Sequence, residues 1–236
     1  MSAHTTTACS RMLRLVIAGL VVWLSGCAKP GGILRTQQCI TPDVELAHIV
    51  GSIDALQVSC GPNVSGEPSC DLIRRELGRL ALVCPNHEPT LFANAVVAYD
   101  VRRPADSQQY LDLILEKPGP HPDAAVLRAR IATEEGNLPF ARHLLEQQVR
   151  LAPDQPGLHE TLGGVFYFLR QWNDASRELT AAGSLGSPRW RIAYHLGLVE
   201  EAQGHIDNAR RLYTEAVQGN AQFSAARSRL AGLPAQ

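Results

Sequence analysis

A repeat of 34 residues constrains the fold of this chain more than any other feature of its sequence. From Glu88 onward the chain divides, without an insertion, into four blocks: 88–121, 122–155, 156–189 and 190–223. In packed helices, small residues let two backbones approach and large residues fill the gap between neighbouring pairs. The pattern therefore predicts an all-α solenoid of helical hairpins. Its recurring places are the eighth (Ala95, Ala129, Gly163, Gly197), the twentieth (Ser107, Ala141, Ala175, Ala209) and the twenty-fourth (Leu111, Leu145, Leu179, Tyr213).

These blocks resemble the tetratricopeptide repeat, a helix–turn–helix unit of the same length, over about 136 residues. Three residues depart from the family pattern. Asn94 and Arg128 replace the large apolar residue that precedes the small one, and Pro104 falls in the turn of the first block. Residues 224–236 are predicted to form a C-terminal capping helix and tail, because a solenoid needs a terminal helix to cover its last apolar surface.

The resemblance implies a groove lined by the first helix of each block. In the family, the second, fifth, ninth, twelfth and thirteenth places usually point into such a groove. Among the residues at these places are aromatic, aliphatic and arginine side chains, which suit a protein-binding surface. The alternative for Phe168 and Leu198 is a place in the core between repeats. The predicted partner-binding residues are Phe92, Val96, Tyr99, Val126, Arg130, Tyr167, Phe168, Arg191, Tyr194 and Leu198.

Some members of the family clamp the C-terminal carboxylate of a peptide with lysines and asparagines. In the last three blocks of this chain, Arg130, Arg191 and His195 imitate that clamp only in part. The first three blocks lack it. Their corresponding places hold Phe92, Val96, Leu127, Gly157 and Thr161.

Residues 1–26 have the pattern of a bacterial lipoprotein signal peptide. They contain no acid, carry two arginines and run apolar from Leu15 to Trp23, a stretch too short to cross a bilayer as a helix. Residues 24–27 read Leu-Ser-Gly-Cys, which resembles the lipobox. The resemblance implies that the mature chain starts at Cys27, carries covalent lipid there, and continues as a flexible tether over 27–40. Ala28 after the acylated cysteine favours the outer membrane, facing the periplasm.

Four cysteines remain in the mature chain besides Cys27, and in an oxidising compartment an even number suggests two disulfides. Residues 41–87 are predicted to form a helical hairpin, with a second helix from about 69 to 83. Two cysteines at opposite ends of one helix are too far apart to pair. Antiparallel helices therefore favour Cys39–Cys84 and Cys60–Cys70, and the alternative is buried thiols.

The sequence offers no catalytic constellation: it contains no nucleophile elbow, zinc-protease helix, phosphate-binding loop or C-x-x-C pair. It predicts no enzymatic activity, no metal and no cofactor apart from the lipid on Cys27. The formal net charge of −1 disfavours a nucleic-acid partner, which needs a concentrated basic face.

The leading hypothesis is a membrane-anchored periplasmic scaffold or adaptor that holds a protein or peptide in its groove. Its layout resembles that of type IV pilus pilotins, Flp pilus assembly lipoproteins and NlpI-like peptidoglycan-hydrolase adaptors. Two alternatives stay open: a regulatory subunit of an envelope enzyme such as a peptidoglycan hydrolase, and a lipoprotein that binds a small ligand or the cell wall.

Overall fold

The computed structural model describes residues 39–56 and 68–234, which form helices and no strand. The first helices of the four blocks begin at residues 88, 122, 156 and 189, and the second helices at 104, 138, 172 and 206. The predicted repeat is therefore present as four helical hairpins. The helices are α1 Pro42–Leu56, α2 Pro68–Val83, α3 Glu88–Asp100, α4 Pro104–Leu115, α5 Pro122–Glu134, α6 Leu138–Leu151, α7 Pro156–Phe168, α8 Trp172–Ser184, α9 Arg189–Ala202, α10 Ile206–Gly219 and α11 Ser224–Gly232.

The turn within each hairpin uses left-handed backbone at one recurring place. Gly136 and Gly204 have φ angles of 78° and 81°, and Arg102 and Arg170 have φ angles of 62° and 58°. Left-handed backbone suits glycine but costs other residues roughly 1–2 kcal/mol. Packing of the two helices therefore imposes the turn even where glycine is absent. Pro104 lies after this turn as the first residue of α4, where proline is favoured.

The small residues of the eighth place lie where the two helices of a hairpin come closest. A Cβ atom added to Gly197 would lie 2.6 Å from Cε1 of Tyr213, and one added to Gly163 would lie 2.8 Å from Cγ of Leu179. The corresponding Ala95 is fully buried. The eighth place of the first helix thus meets the twenty-fourth place of the second, which explains why both places are restricted in size.

Asn94 and Arg128, the two polar residues that depart from the repeat pattern, each form side-chain contacts of their own. Asn94 is buried, and its amide donates hydrogen bonds to the carbonyl oxygens of Leu77 (3.0 Å) and Thr90 (2.9 Å), which joins α3 to α2. Arg128 donates to Asp112 at 2.9 Å, and its guanidinium lies 4.6 Å from the ring centroid of Phe140. Both side chains thus contact neighbouring helices, and the first two repeats keep the hairpin geometry.

The N-terminal hairpin is closed by the predicted Cys39–Cys84 disulfide, whose Cα atoms lie 5.1 Å apart. Ile49 of α1 packs with Ile73, Leu77 and Leu80 of α2 in a small buried cluster. Cys70 also forms a disulfide. Its predicted partner Cys60 lies outside the described residues, as do the signal peptide, Cys27 and residues 27–38 of the tether.

The last helix covers the other end of the array. Ala226 of α11 is fully buried and belongs to one cluster with Ala193, Leu212 and Ala216 of the last hairpin. Phe223, just before α11, places its ring 5.0 Å from that of Trp190. α11 therefore lies in the segment for which the sequence predicts a capping helix.

Candidate functional site

A groove of about 780 Å³ opens along the first helices of the last three repeats. It lies between α5, α7 and α9, so the spacing of the repeats fixes its width. Since every wall is a helix of the solenoid, the lining side chains are held on rigid elements. The residues that line it are Val126, Arg130, Thr133, Glu134, Gly157, Glu160, Thr161, Gly164, Val165, Phe168, Arg191 and His195.

The structure brings four of the ten predicted groove residues together: Val126, Arg130, Phe168 and Arg191. Phe168 had two possible places, and its side chain is 59% exposed, so it belongs to the groove rather than to the core. An exposed aromatic ring beside arginines is a composition typical of protein-binding surfaces.

The other six predicted residues pack against the core and do not line this groove. Phe92, Val96 and Tyr99 lie against the buried cluster of the first repeat. Tyr167 lies beside the ring of Trp172, with the ring centroids 5.6 Å apart.

In the last repeat, the capping segment (Phe223 and α11) explains why Tyr194 and Leu198 do not line the groove. The Tyr194 ring lies 4.8 Å from that of Phe223 and 5.9 Å from that of Tyr213, and Leu198 packs against the same buried cluster as Tyr213. Tyr194 and Leu198 therefore act as packing residues at the end of the array. The prediction for these two residues took the repeat as if it had no terminal neighbour, whereas the capping segment lies against Tyr194.

Glu160 forms the most connected polar cluster of the groove. Its carboxylate accepts hydrogen bonds from Ser187 at 2.9 Å and from Nη2 of Arg191 at 2.8 Å. It also lies 2.6 Å from Nε of Arg191 and 3.4 Å from Nε2 of His195. The α7 carboxylate therefore fixes the orientation of Arg191 and His195 on α9.

Burial raises the pKa of the Glu160 carboxyl, but hydrogen bonds from His195, Arg191 and Ser187 outweigh burial and lower the pKa to about 2. A folded-state pKa below the unfolded value means that ionised Glu160 stabilises the protein above about pH 4.5, and that this stabilisation is lost as the pH falls through 2. We expect Glu160→Gln to lower the free energy of unfolding at pH 7 by about 2 kcal/mol. Urea unfolding between pH 7 and pH 2 measures the difference.

The matched control for this prediction is Glu146→Gln, which removes a partly exposed carboxylate 3.6 Å from Arg142. An ion pair at the surface contributes about 0–1 kcal/mol, so this variant should differ little from the parent chain at any pH. If Glu160→Gln lowers the free energy of unfolding by the same amount at pH 3 as at pH 7, the stabilising role assigned to ionised Glu160 is contradicted.

A second polar cluster lies at the α5 wall. The hydroxyl of Tyr99 donates to Oε1 of Glu134 at 2.5 Å. Burial raises the pKa of Tyr99, the hydrogen bond to Glu134 raises it further, and the nearby Arg130 opposes the rise. Both carboxylates of the groove, Glu134 and Glu160, thus already accept hydrogen bonds from the chain itself.

The floor of the groove is open because α7 carries glycines there. A Cβ atom added to Gly164 would meet no atom within 4 Å, and one added to Gly157 would meet only Cγ2 of Val126 at 3.8 Å. These residues and Glu160 occupy the second, fifth and ninth places of the third repeat. These places are expected to face the groove, but the residue types typical of a binding hot spot do not include glycine.

The described residues carry no other site with evident chemistry. Within 39–56 and 68–234, no group of three or more His, Cys, Asp or Glu side chains could hold a metal ion. His121 and His159 instead lie 2.9 Å and 2.8 Å from the carboxylates of Glu88 and Glu178. In the same part of the chain, no helix combines the length and the apolar character that a membrane crossing requires.

No protein-family model matches this sequence, and no curated protein matches it. Several solved structures do match. TTC0263, a thermophilic TPR protein of Thermus thermophilus, is 17% identical with a TM-score of 0.62 over 80% of this chain and 97% of that one. PilF of Pseudomonas aeruginosa is 15% identical with a TM-score of 0.62 over 78% and 79%.

YrrB, described as a TPR protein with an unusual peptide-binding site, is 10% identical with a TM-score of 0.54 over 77% of this chain and 96% of that one. These identities are low, but the alignments extend over most of each chain. TTC0263 and YrrB are both described as TPR proteins. The chain therefore has the fold of the tetratricopeptide repeat proteins.

Proposed function

We propose that this chain is a lipid-anchored periplasmic scaffold, which holds a protein partner in the groove between α5, α7 and α9 during assembly of an envelope structure such as a pilus. The exposed Phe168 ring, above an open floor and beside Arg130 and Arg191, is the observation that carries the proposal. Apolar side chains exposed on a rigid concave wall are typical of hot spots. The peptide-binding site described for YrrB, which shares the fold, supports the same role here.

The disulfides support the proposed location. The Cys39–Cys84 bond joins residues that are 45 positions apart, and Cys70 forms a further disulfide. Disulfides persist in oxidising compartments such as the periplasm and are rare in the cytosol. Export through the signal at 1–26 would deliver the chain there.

The anchor can be tested by replacing Cys27 with serine. The thiol of Cys27 is the group that the lipid would occupy, so Cys27→Ser should incorporate no radioactive palmitate and should accumulate as an unprocessed precursor. Cys9→Ser, in the segment that processing would remove, is the matched control and should label normally. A Cys27→Ser chain that still takes up label and sediments with membranes would contradict the lipoprotein proposal.

The groove can be tested by filling it. Gly164→Phe places a ring in open space above α7, so it should abolish partner co-purification without lowering the melting temperature. Gly164→Ala is the matched control, since a methyl group leaves most of the groove open. Equal recovery of the partner with both variants would show that binding occurs elsewhere.

A further inference from the structure

We propose that the groove binds an extended protein segment in which a large apolar side chain lies next to an aspartate or glutamate. The inference rests on the proposed function, since it takes this groove as the partner-binding surface. It names the chemistry of the segment, which the fold does not determine. Three features of the groove carry it: an apolar wall, an open floor and arginine N–H groups that have no acidic partner left within the groove.

The apolar wall and the floor define where a large side chain fits. Phe168 is 59% exposed, and Val126 faces the groove from α5. Gly164 leaves the α7 backbone uncovered between them, with no atom within 4 Å of an added Cβ. An aliphatic or aromatic side chain of a bound segment can therefore reach the helix backbone and pack against the Phe168 ring. A segment without such a side chain would leave this surface in water.

The acids of the groove are engaged by the chain itself. Glu134 accepts the Tyr99 hydroxyl at 2.5 Å, and Glu160 accepts Ser187 at 2.9 Å together with Arg191. A basic segment would have to compete with these internal donors for the same oxygens. The groove is therefore poor in acceptors for a lysine or arginine of a partner.

The arginines, in contrast, keep donors for a ligand. Arg191 donates one Nη2 hydrogen to Glu160 at 2.8 Å, its buried Nε lies 2.6 Å from the same carboxylate, and its side chain remains 41% exposed. Of the five N–H groups of a guanidinium, the other three on the two Nη atoms are left. Arg130 lines the facing wall and is exposed. Because Glu160 holds Arg191 in one orientation, a carboxylate beside the apolar side chain meets donors that are already positioned.

The test is a peptide selection on the lipidated full-length protein in detergent. The library is displayed with its C-terminus joined to the phage coat, so that only side-chain carboxylates are offered. We expect enriched peptides to carry a large apolar residue within about three positions of an Asp or Glu, and Gly164→Phe to abolish their binding. Exchanging the acid for its amide should weaken binding about tenfold, because hydrogen bonds to charged groups are the stronger ones.

Two groove variants identify the source of that preference. Arg191→Gln and Arg130→Gln should each reduce the preference for the acidic peptide over its amide, and leave the requirement for the apolar residue unchanged. Arg211→Gln, on an exposed part of α10, is the control and should change neither. If Arg191→Gln fails to fold, the salt dependence of peptide binding is measured instead. Raising NaCl from about 50 mM to about 500 mM should weaken the acidic peptide several-fold and the amide peptide little.

The outcomes separate this inference from the proposed function. Peptides that bind the groove, lose binding in Gly164→Phe and show no acid preference would overturn the inference and leave the scaffold function intact. Enriched peptides with Lys or Arg beside the apolar residue would overturn it as well. No enrichment, or enrichment that Gly164→Phe does not affect, would show that the groove does not bind peptide segments and would contradict both.

Discussion

Replacing Cys39 with serine will loosen α1 against the rest of the array and lower the free energy of unfolding of the N-terminal hairpin by about 3–4 kcal/mol. The disulfide closes a loop of 45 residues, and the chain-entropy model gives a stabilisation of this size for such a loop. Few other contacts hold α1. Ile49 is its one buried apolar residue among those whose side chains are described, and Glu45 pairs with Arg79 at 2.5 Å.

The effect should be local, because each unit of a solenoid contacts only its neighbours. Hydrogen exchange of the Cys39→Ser chain is expected to accelerate in α1 and to stay unchanged in α5 to α10. Cys39 is exposed whereas Cys84 is buried, so the single variant removes the bond without creating a cavity. The double variant Cys39→Ser/Cys84→Ala adds that cavity and is the comparison. Unaltered exchange in α1 would show that packing alone holds the hairpin.

Gly197→Leu will destabilise the last repeat by about 3 kcal/mol or more, at the upper end of the usual cost of overpacking. The Cβ atom alone would lie 2.6 Å from Cε1 and 2.7 Å from Cδ1 of Tyr213. That ring cannot yield easily, because Tyr213 is fully buried and its hydroxyl donates to Glu201 at 2.5 Å. Chemical denaturation of Gly197→Leu and of the parent protein measures the loss of unfolding free energy.

Alanine at Gly197 and alanine at Gly164 should change the free energy of unfolding in opposite directions. Gly197→Ala should destabilise, whereas Gly164→Ala should stabilise by about 0.5–1 kcal/mol, because alanine favours a helix and meets nothing at Gly164. Adding Tyr213→Leu to Gly197→Ala should cost less than the sum of the two single changes, since the shorter side chain relieves the clash. Two alanine variants that shift stability in the same direction would contradict the assigned contact.

The repeat could be predicted from the sequence because the contacts that define it recur at fixed spacing. Gly197 and Tyr213 occupy the eighth and twenty-fourth places, and the structure brings them into contact. The Cys39–Cys84 bond could be predicted because helix length leaves few pairings. The same rules do not reveal the partners of Asn94, since its acceptor Leu77 lies outside the repeat frame.

The groove could be predicted only in part, because a place in a repeat fixes the direction of a side chain but not its neighbours. Val126 and Phe168 face the groove as their places indicate. Tyr194 occupies an equivalent place, but Phe223 lies against it because the array ends there. Glu160 was missed because its role depends on Arg191 in the next repeat, a contact between blocks that no single-block pattern contains.

Photo-crosslinking in intact cells tests the central claim, that a protein partner occupies the groove, most directly. A photoreactive phenylalanine at Thr133, on the α5 wall, should give an adduct with one partner protein, and the same residue at Gln147, on the exposed surface of α6, should not. Adding Gly164→Phe should remove the Thr133 adduct, and Gly164→Ala should retain it. An adduct from Gln147 alone, or a Thr133 adduct that survives Gly164→Phe, would contradict the account.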